Sequence, residues 1–574
     1  MSSDSLAQLA LSLLLSCAVA AAVAAQPPAD LPPAERELAD TVDPWGLAFS
    51  DQLARFRTHF APRPDARFAV GLTHDLVKVW PVKYWYTGPA GESVPSGADR
   101  RAVMDRWALA GGTQGFQVVV LPRLGAEDAT YTLSVDLDGA PDDRAESFRE
   151  VFVRTARPAY PRFESERWPD PLLPESAAAV SGADCAVLWV DVHLAPATAR
   201  RTVTVRVTVT DGQEQAGLDV PIRVVPAEGF DPKAFPLVAW FPRNKLDEEG
   251  YRRLCALVLA HHLQPLDALR GVWDAEHPER LDDLRAFLAE HGQRLFQVDT
   301  PQDDAFAALY AHLRDRGWVQ DTLVYSNQDE PSADEFIARN IPFCQEVHQK
   351  YPGLRTFLAS DGHPDIAQGC DIWMTDLSSS GYDPERDRTL EAPTLWHYYC
   401  HLPVRWQMRA PLVMAPNMQV DNPALEHRLA LWMSDYYGAR GVFIWAGAYY
   451  TFGDDFWQTL QLSEEPSPFP YAGVHNGNGF LVYPDPNDPQ GTVPSLRLKV
   501  LRDALEDLAL QALLRRQLER TDLSEEQRRP VAALLDPTPE LFLRPQHFDR
   551  LPETLLRRRE AMVRQLDALL PQDR

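Results

Sequence analysis

Apolar residues recur along this chain with two different rhythms, and the rhythm changes near Pro236. Upstream, Thr202 to Val209 alternates polar and apolar residues, the period of a half-buried strand. Asp211-Gly212 then supplies a turn before the Val-rich stretch Val220 to Val225, so a hairpin is expected there. Phe116 to Leu121 is a further short apolar run. Several such strands separated by Gly- and Pro-bearing turns imply a β-sandwich over residues 66–230.

Downstream the order becomes strand, helix, strand. The strand candidates are Leu237–Phe241, Leu263–Leu266, Leu295–Val298, Thr322–Tyr325, Thr356–Ala359, Ile372–Thr375, Leu395–Tyr399 and Val442–Trp445. Amphipathic stretches such as Glu249–His262 and Asp282–His291 lie between them. Eight strands in about 210 residues fit a TIM-type (β/α)8 barrel occupying residues 231–490. An open doubly wound sheet is the alternative, but no Gly-rich phosphate loop follows the first strand. Residues 491–574, with Leu501, Leu505 and Leu508 and later Leu- and Arg-rich segments, read as a helical region packed against the barrel. The fold class is therefore a multidomain α/β plus all-β chain.

Composition narrows the partners. A net charge of −26 with no basic stripe argues against nucleic acid. Residues 1–25 contain the Ala-rich apolar run Leu9 to Val23 and end in Val23-Ala24-Ala25, the pattern of a secretory signal with a small-residue cleavage site. No Lys or Arg precedes Arg36, and Asp4 occupies the segment where a signal carries positive charge. Leu14-Leu15-Ser16-Cys17 also has the form of a lipoprotein box, and the run approaches the length of a single membrane anchor. Export to the periplasm, cell surface or medium is expected, with membrane contact only through an N-terminal anchor or a lipid on Cys17. Residues 26–65, rich in Pro and Ala, read as a linker. The six cysteines show no C-x-x-C pairing, so neither a disulfide framework nor a zinc site is signalled and buried thiols are expected. No cofactor and no metal is called for, and oligomeric state is not encoded in any feature of the chain.

The chemistry concentrates at strand ends. Asp329-Glu330-Pro331 follows the fourth strand, and Ser332-Ala333-Asp334-Glu335 has capping-box spacing, so two acids sit where a strand ends and a helix begins. In a β/α barrel that rim carries the catalytic groups. Adjacent side chains on a regular strand point to opposite faces, but at the last pleat Pro331 is expected to hold Glu330 extended and let both carboxylates reach one sugar. The sixth strand ends near Trp373 and Asp376, the seventh in Trp396-His397-Tyr398-Tyr399 and the eighth in Trp445. Acids combined with aromatic platforms suit a sugar, whose C–H faces stack on rings while its hydroxyls need hydrogen bonds. A two-carboxylate glycosidase takes its acids from different strands, with Asp376 as the available second acid. Neighbouring acids suit substrate assistance instead, in which a 2-acetamido group attacks its own anomeric carbon.

At this point the chain resembles glycoside hydrolase family 123 and the related glycoside-hydrolase-like domain of unknown function. The resemblance rests on Asp329-Glu330-Pro331, Trp396-His397-Tyr398 and Gly441-Val442-Phe443-Ile444-Trp445. It extends to Gly115-Phe116-Gln117-Val118-Val119 and Trp168-Pro169-Asp170-Pro171-Leu172 upstream. Gly479-Phe480-Leu481-Val482-Tyr483-Pro484, Pro494-Ser495-Leu496-Arg497 and Leu501-Arg502-Asp503 continue it downstream, so it covers roughly residues 70 to 515. It implies β-N-acetylgalactosaminidase activity on a glycan or glycolipid, with Glu330 as general acid/base and Asp329 orienting the acetamido group. By analogy with acetamido-dependent glycosidases, Tyr398 is assigned to the acetamido oxygen and Trp396 and Trp445 to the sugar pocket. Gln328 stands where an apolar strand residue is expected. The competing readings are a two-carboxylate glycosidase on a non-acetylated sugar and a non-catalytic carbohydrate-binding surface protein.

Overall fold

The computed structural model describes residues 49–571, apart from 80–92, 99–100, 103, 155–166, 181–183, 244, 302–303, 327, 361–368, 378–392, 401–414, 449–476 and 478. The segment 1–25 expected to be a signal, Cys17 and the first part of the expected linker lie outside the described residues. Among the described residues no helix is long and apolar enough to cross a membrane.

The alternating segment folds as its period demands. Arg201–Thr210 pairs antiparallel with Gln215–Val225, setting Val205 opposite Val220 and Val207 opposite Leu218. The connecting turn has Gly212 at φ +85°, and Asp211 Oδ1 accepts the Gln213 and Glu214 amides at 2.9 and 2.8 Å. This hairpin belongs to a sheet that also contains Ala129–Asp138 and Ala177–Val180. A second sheet is built around Phe68–His74, Thr113–Pro122, Ala186–His193 and Arg144–Arg154, all antiparallel. Phe116, Val118 and Leu188 of one sheet share a hydrophobic core with Val205, Val207 and Ile222 of the other. The two sheets therefore pack face to face.

The linker expected over 26–65 is corrected from residue 49 onward. Phe49–Thr58 is a helix, and Leu53, Phe56 and Phe60 at i, i+3, i+7 are buried against Val119, Leu121 and Val187. This helix covers the outer face of the second sheet, which explains why Phe116 to Leu121 is apolar without alternation. Composition concealed it, because flanking Pro and Ala mask a short apolar stripe.

After Pro236 come eight parallel strands: β1 Leu237–Ala239, β2 Leu263–Pro265, β3 Phe296–Val298, β4 Thr322–Tyr325, β5 Arg355–Ala359, β6 Ile372–Thr375, β7 Thr394–Tyr399 and β8 Val442–Ile444. The sheet runs in the order β2-β1-β8-β7-β6-β5-β4-β3 and is curled, with no ladder joining β2 to β3. One backbone bond, from Gln297 N–H to the Leu266 carbonyl at 2.8 Å, spans that seam. Val238, Leu266, Leu323, Phe357, Met374 and Phe443 fill the concave side. The ladder is thus that of a curled parallel sheet whose two ends approach without pairing.

The C-terminal helical region does more than cap the curled sheet. Leu496–Leu518 is buried around nearly its whole circumference, lying between the helix Ala424–Tyr436 and the sandwich. Its charged side chains face carboxylates of the sandwich: Arg497 pairs with Asp170 at 2.9 Å, and Arg502 reaches Asp191 at 2.9 and 3.0 Å. Toward the helices Ala424–Tyr436 and Pro552–Leu569, Asp507 accepts from Arg428 at 2.6 and 2.9 Å, Arg559 at 2.8 Å and Trp432 at 3.0 Å. Arg428 also reaches Asp75 at 2.6 Å. Burial of such charges is tolerated only because each finds an opposite partner. The cysteines at 185, 255, 344, 370 and 400 are buried.

Candidate active site at the strand ends

Tyr325 ends β4, and the chain then turns through Gln328, Asp329 and Glu330 before a helix begins. The capping box forms as the spacing predicts. Ser332 N–H donates to Glu335 Oε2 at 3.0 Å, and the Glu335 amide points back to Ser332 Oγ at 3.4 Å. Glu330 differs from expectation: its φ is +41°, the left-handed region, rather than extended. That conformation costs an L-residue on the order of 1 kcal/mol. The turn is anchored on both sides, by the helix cap after Pro331 and by contacts to Gln328 before it, so tertiary context overrides the usual effect of a following proline.

Both carboxylates are exposed, and each meets a different tyrosine. The Tyr325 hydroxyl donates to Asp329 Oδ1. The Tyr398 hydroxyl, carried by β7 three strands away, donates to Glu330 Oε1 at 3.0 Å. Burial pushes both phenols well above their ordinary range, so they remain protonated donors. The turn and the end of β7 are thereby brought to one place.

The remaining candidates separate. Asp376 follows β6 and is 2 % exposed, close enough for its charge to act on Tyr398 and Tyr399. Trp445, after β8, is half-buried and packs against Gly479, where a Cβ would lie 2.8 Å from the ring. Trp396 shares the face of β7 with Tyr398 but sits two residues deeper, within the interior cluster, and is 3 % exposed. Trp373 points to the outer side of the sheet, among Phe336, Cys344 and Leu395, with its indole N–H on the Ser360 carbonyl at 3.0 Å. Alternation turns Trp373 away from the mouth, whereas depth along β7 sets Trp396 below Tyr398.

Two aromatics at the strand ends are not singled out by the sequence pattern. Tyr325 is the last residue of β4, and its i+4 relation to Asp329 brings hydroxyl and carboxylate together across the turn. Trp240 follows β1 and meets Tyr325 edge-on at 5.5 Å and 81°, with its indole N–H donating to Gln297 Oε1 at 2.7 Å. An aromatic just past a strand end was the available signal. Nearby, Asp267 accepts from the Phe241 amide at 2.6 Å, and burial pushes its carboxyl up to about 6.

Eight curled parallel strands thus carry acids and aromatics at their ends, an arrangement suited to a sugar. The family model for the glycoside hydrolase 123 catalytic domain matches residues 273–514, so the chain is a glycoside hydrolase that is family 123-like over that stretch. A solved family 123 glycoside hydrolase from Clostridium perfringens, described for glycolipid glycan hydrolysis, shares the fold at 12% identity. The match covers 87% of this chain and 97% of that one, with a TM-score of 0.59. β-Glucuronidase 3 of Bacteroides uniformis is a looser match, at 9% identity over 72% of this chain and 52% of that one, TM-score 0.25. No curated protein matches the sequence.

Proposed function

We propose that this hydrolase removes β-linked N-acetylgalactosamine-type sugars from glycans or glycolipids by substrate-assisted, retaining catalysis. The reading is carried by one observation: a single turn presents two carboxylates, each met by its own tyrosine hydroxyl. Neighbouring acids with separate partners can take separate roles. Glu330 gives a proton to the leaving oxygen as the sugar's acetamido oxygen attacks the anomeric carbon. The bond from that carbon to the leaving oxygen breaks, and an oxazolinium ion forms. Asp329 accepts the acetamido N–H and steadies the developing positive charge. Water then adds to the anomeric carbon while Glu330 takes back a proton, and the net configuration is kept. Tyr398 turns its hydroxyl to the acetamido oxygen when substrate binds, Trp445 offers the platform and Asp376 lines the floor.

In this reading the curled sheet serves as one (β/α)8 barrel, with the seam between β2 and β3 held by side chains and single bonds. Export through residues 1–25, with or without lipid on Cys17, would place the enzyme where such glycans are exposed. A panel of aryl glycosides with and without the 2-acetamido group tests the proposal. Turnover of the β-N-acetylgalactosaminide, its loss in Glu330→Gln and strong inhibition by a thiazoline mimic of the intermediate are expected. Full activity in Glu330→Gln would overturn the acid assignment. A second reading draws on the burial of Asp376 beside Tyr398: hydrolysis of plain galactosides, lost in Asp376→Asn, would favour a two-carboxylate mechanism.

A further inference from the structure

The helix that follows the acid turn is irregular at one place. Over Phe336–Asn340 it widens, and the Ile341 amide bonds to the Phe336 carbonyl five residues back rather than four. Pro342 is the local cause, since it has no N–H for the carbonyl of residue 338 and its ring would crowd that carbonyl. In a regular α-helix, residues five apart lie about 140° apart around the axis. The widened turn closes that angle and lets Glu335, Arg339 and Asn340 all address the same short loop.

Their shared target is Gln328, directly before the acids. Arg339 donates to Gln328 Oε1 at 3.3 Å, and the Gln328 side chain is also hydrogen-bonded to Glu335. Asn340 is fully buried and spends both amide hydrogens here: Nδ2 donates to the Gln328 carbonyl at 3.0 Å and to Ser326 Oγ at 2.6 Å. Among the described residues its Oδ1 is buried with no hydrogen-bond partner. An orphaned buried acceptor costs on the order of 1–3 kcal/mol. A side chain kept only for packing has no reason to be a polar group left half-satisfied, and such local violations mark functional sites.

We propose that Asn340 is a positioning residue for catalysis: from the widened turn it clamps Ser326 and Gln328, and so fixes the left-handed Glu330 and its neighbour Asp329. This rests on the assignment of those acids above. Gln328, an apparent departure in the strand, then becomes the handle by which the helix grips the acid turn. Asn340 touches neither substrate nor reacting atom; it acts through the geometry of the two carboxylates.

The test uses the full chain with Asn340→Ala and with Asn340→Asp, which keeps the size but has at most one donor. Ser326→Ala, which leaves the bond to the Gln328 carbonyl, and Glu330→Gln accompany them. For both Asn340 variants kcat on the aryl N-acetylgalactosaminide should fall about tenfold or more, with KM within roughly threefold, because misplaced catalytic groups harm the transition state more than ground-state binding. Thiazoline affinity should weaken in step with kcat/KM, and Ser326→Ala should lose less than either. Should Asn340→Ala fail to fold, Asn340→Asp carries the test. If a soluble Asn340 variant keeps kcat within about twofold while only its melting temperature drops, and Glu330→Gln is inactive, the residue is structural and the proposal falls. If Glu330→Gln is itself active, the acid assignment falls first and takes the clamp with it.

Discussion

The Tyr398 hydroxyl lies 3.0 Å from Glu330 Oε1, joining the end of β7 to the turn after β4. A neutral donor on a carboxylate favours its charged form. Tyr398→Phe removes that donor, so the alkaline limb of the kcat/KM profile is expected to move up by as much as about one pH unit, with kcat itself reduced. An unmoved limb would show that Glu330 does not set it.

Tyr325 acts on the other acid. Tyr325→Phe removes the hydroxyl that donates to Asp329 while leaving the ring that meets Trp240 in place. If Asp329 orients the acetamido group, kcat on 2-acetamido glycosides should fall roughly tenfold. Any residual turnover of non-acetylated glycosides should hardly change. Equal losses on both substrate types would separate Asp329 from the acetamido group.

Asp507 on the long helix gathers Arg428, Trp432 and Arg559 around one carboxylate. Asp507→Ala leaves Arg428 and Arg559 buried without their shared carboxylate, and about 3–5 kcal/mol of stability should be lost. Glu560→Ala, which breaks an exposed pair with Arg564, should cost under about 1 kcal/mol. Urea unfolding of the two variants beside the parent measures both.

His397 on β7 is fully buried with Nδ1 3.1 Å from Ser434 Oγ, and burial lowers its pKa to about 3. An unfolded chain would protonate it near 6.5, so between those values the unfolded state holds the extra proton. Stability from His397 is therefore present above pH 6.5 and lost as pH falls, by about 2 kcal/mol at pH 5. Asp267 works in the opposite sense, its contribution fading as pH rises through about 6, so only a difference isolates the histidine. His397→Gln should lose about 2 kcal/mol less than the parent between pH 7.5 and 5. Parallel pH curves would refute the assignment.

How much was legible follows from what a sequence records. The strand Thr322–Tyr325 was placed to the residue, because an apolar run between turn signals leaves one register that buries it. The acid pair was legible for the same reason, as the point where that run stops. The fate of Trp396 and Trp373 was not, since both lie near a rim in sequence while alternation sends one inward below Tyr398 and the other outward. The conformation of Glu330 was also hidden: a local rule about proline predicts extension, and contacts from residues 335 to 340 decide otherwise. Nor could pattern alone show that Arg497, Arg502 and Asp507 turn their charges inward, because their partners lie tens to hundreds of residues away.

The long helix also bears on what can be inherited or transplanted. Arg428, Arg497 and Arg502 find Asp75, Asp170 and Asp191 in the sandwich, all buried. A segment cut away from the sandwich would leave Arg497 buried without its carboxylate and take one of two acidic partners from Arg428, which keeps Asp507, and from Arg502, which keeps Asp503. An exchanged sandwich would therefore have to bring three matching carboxylates with it.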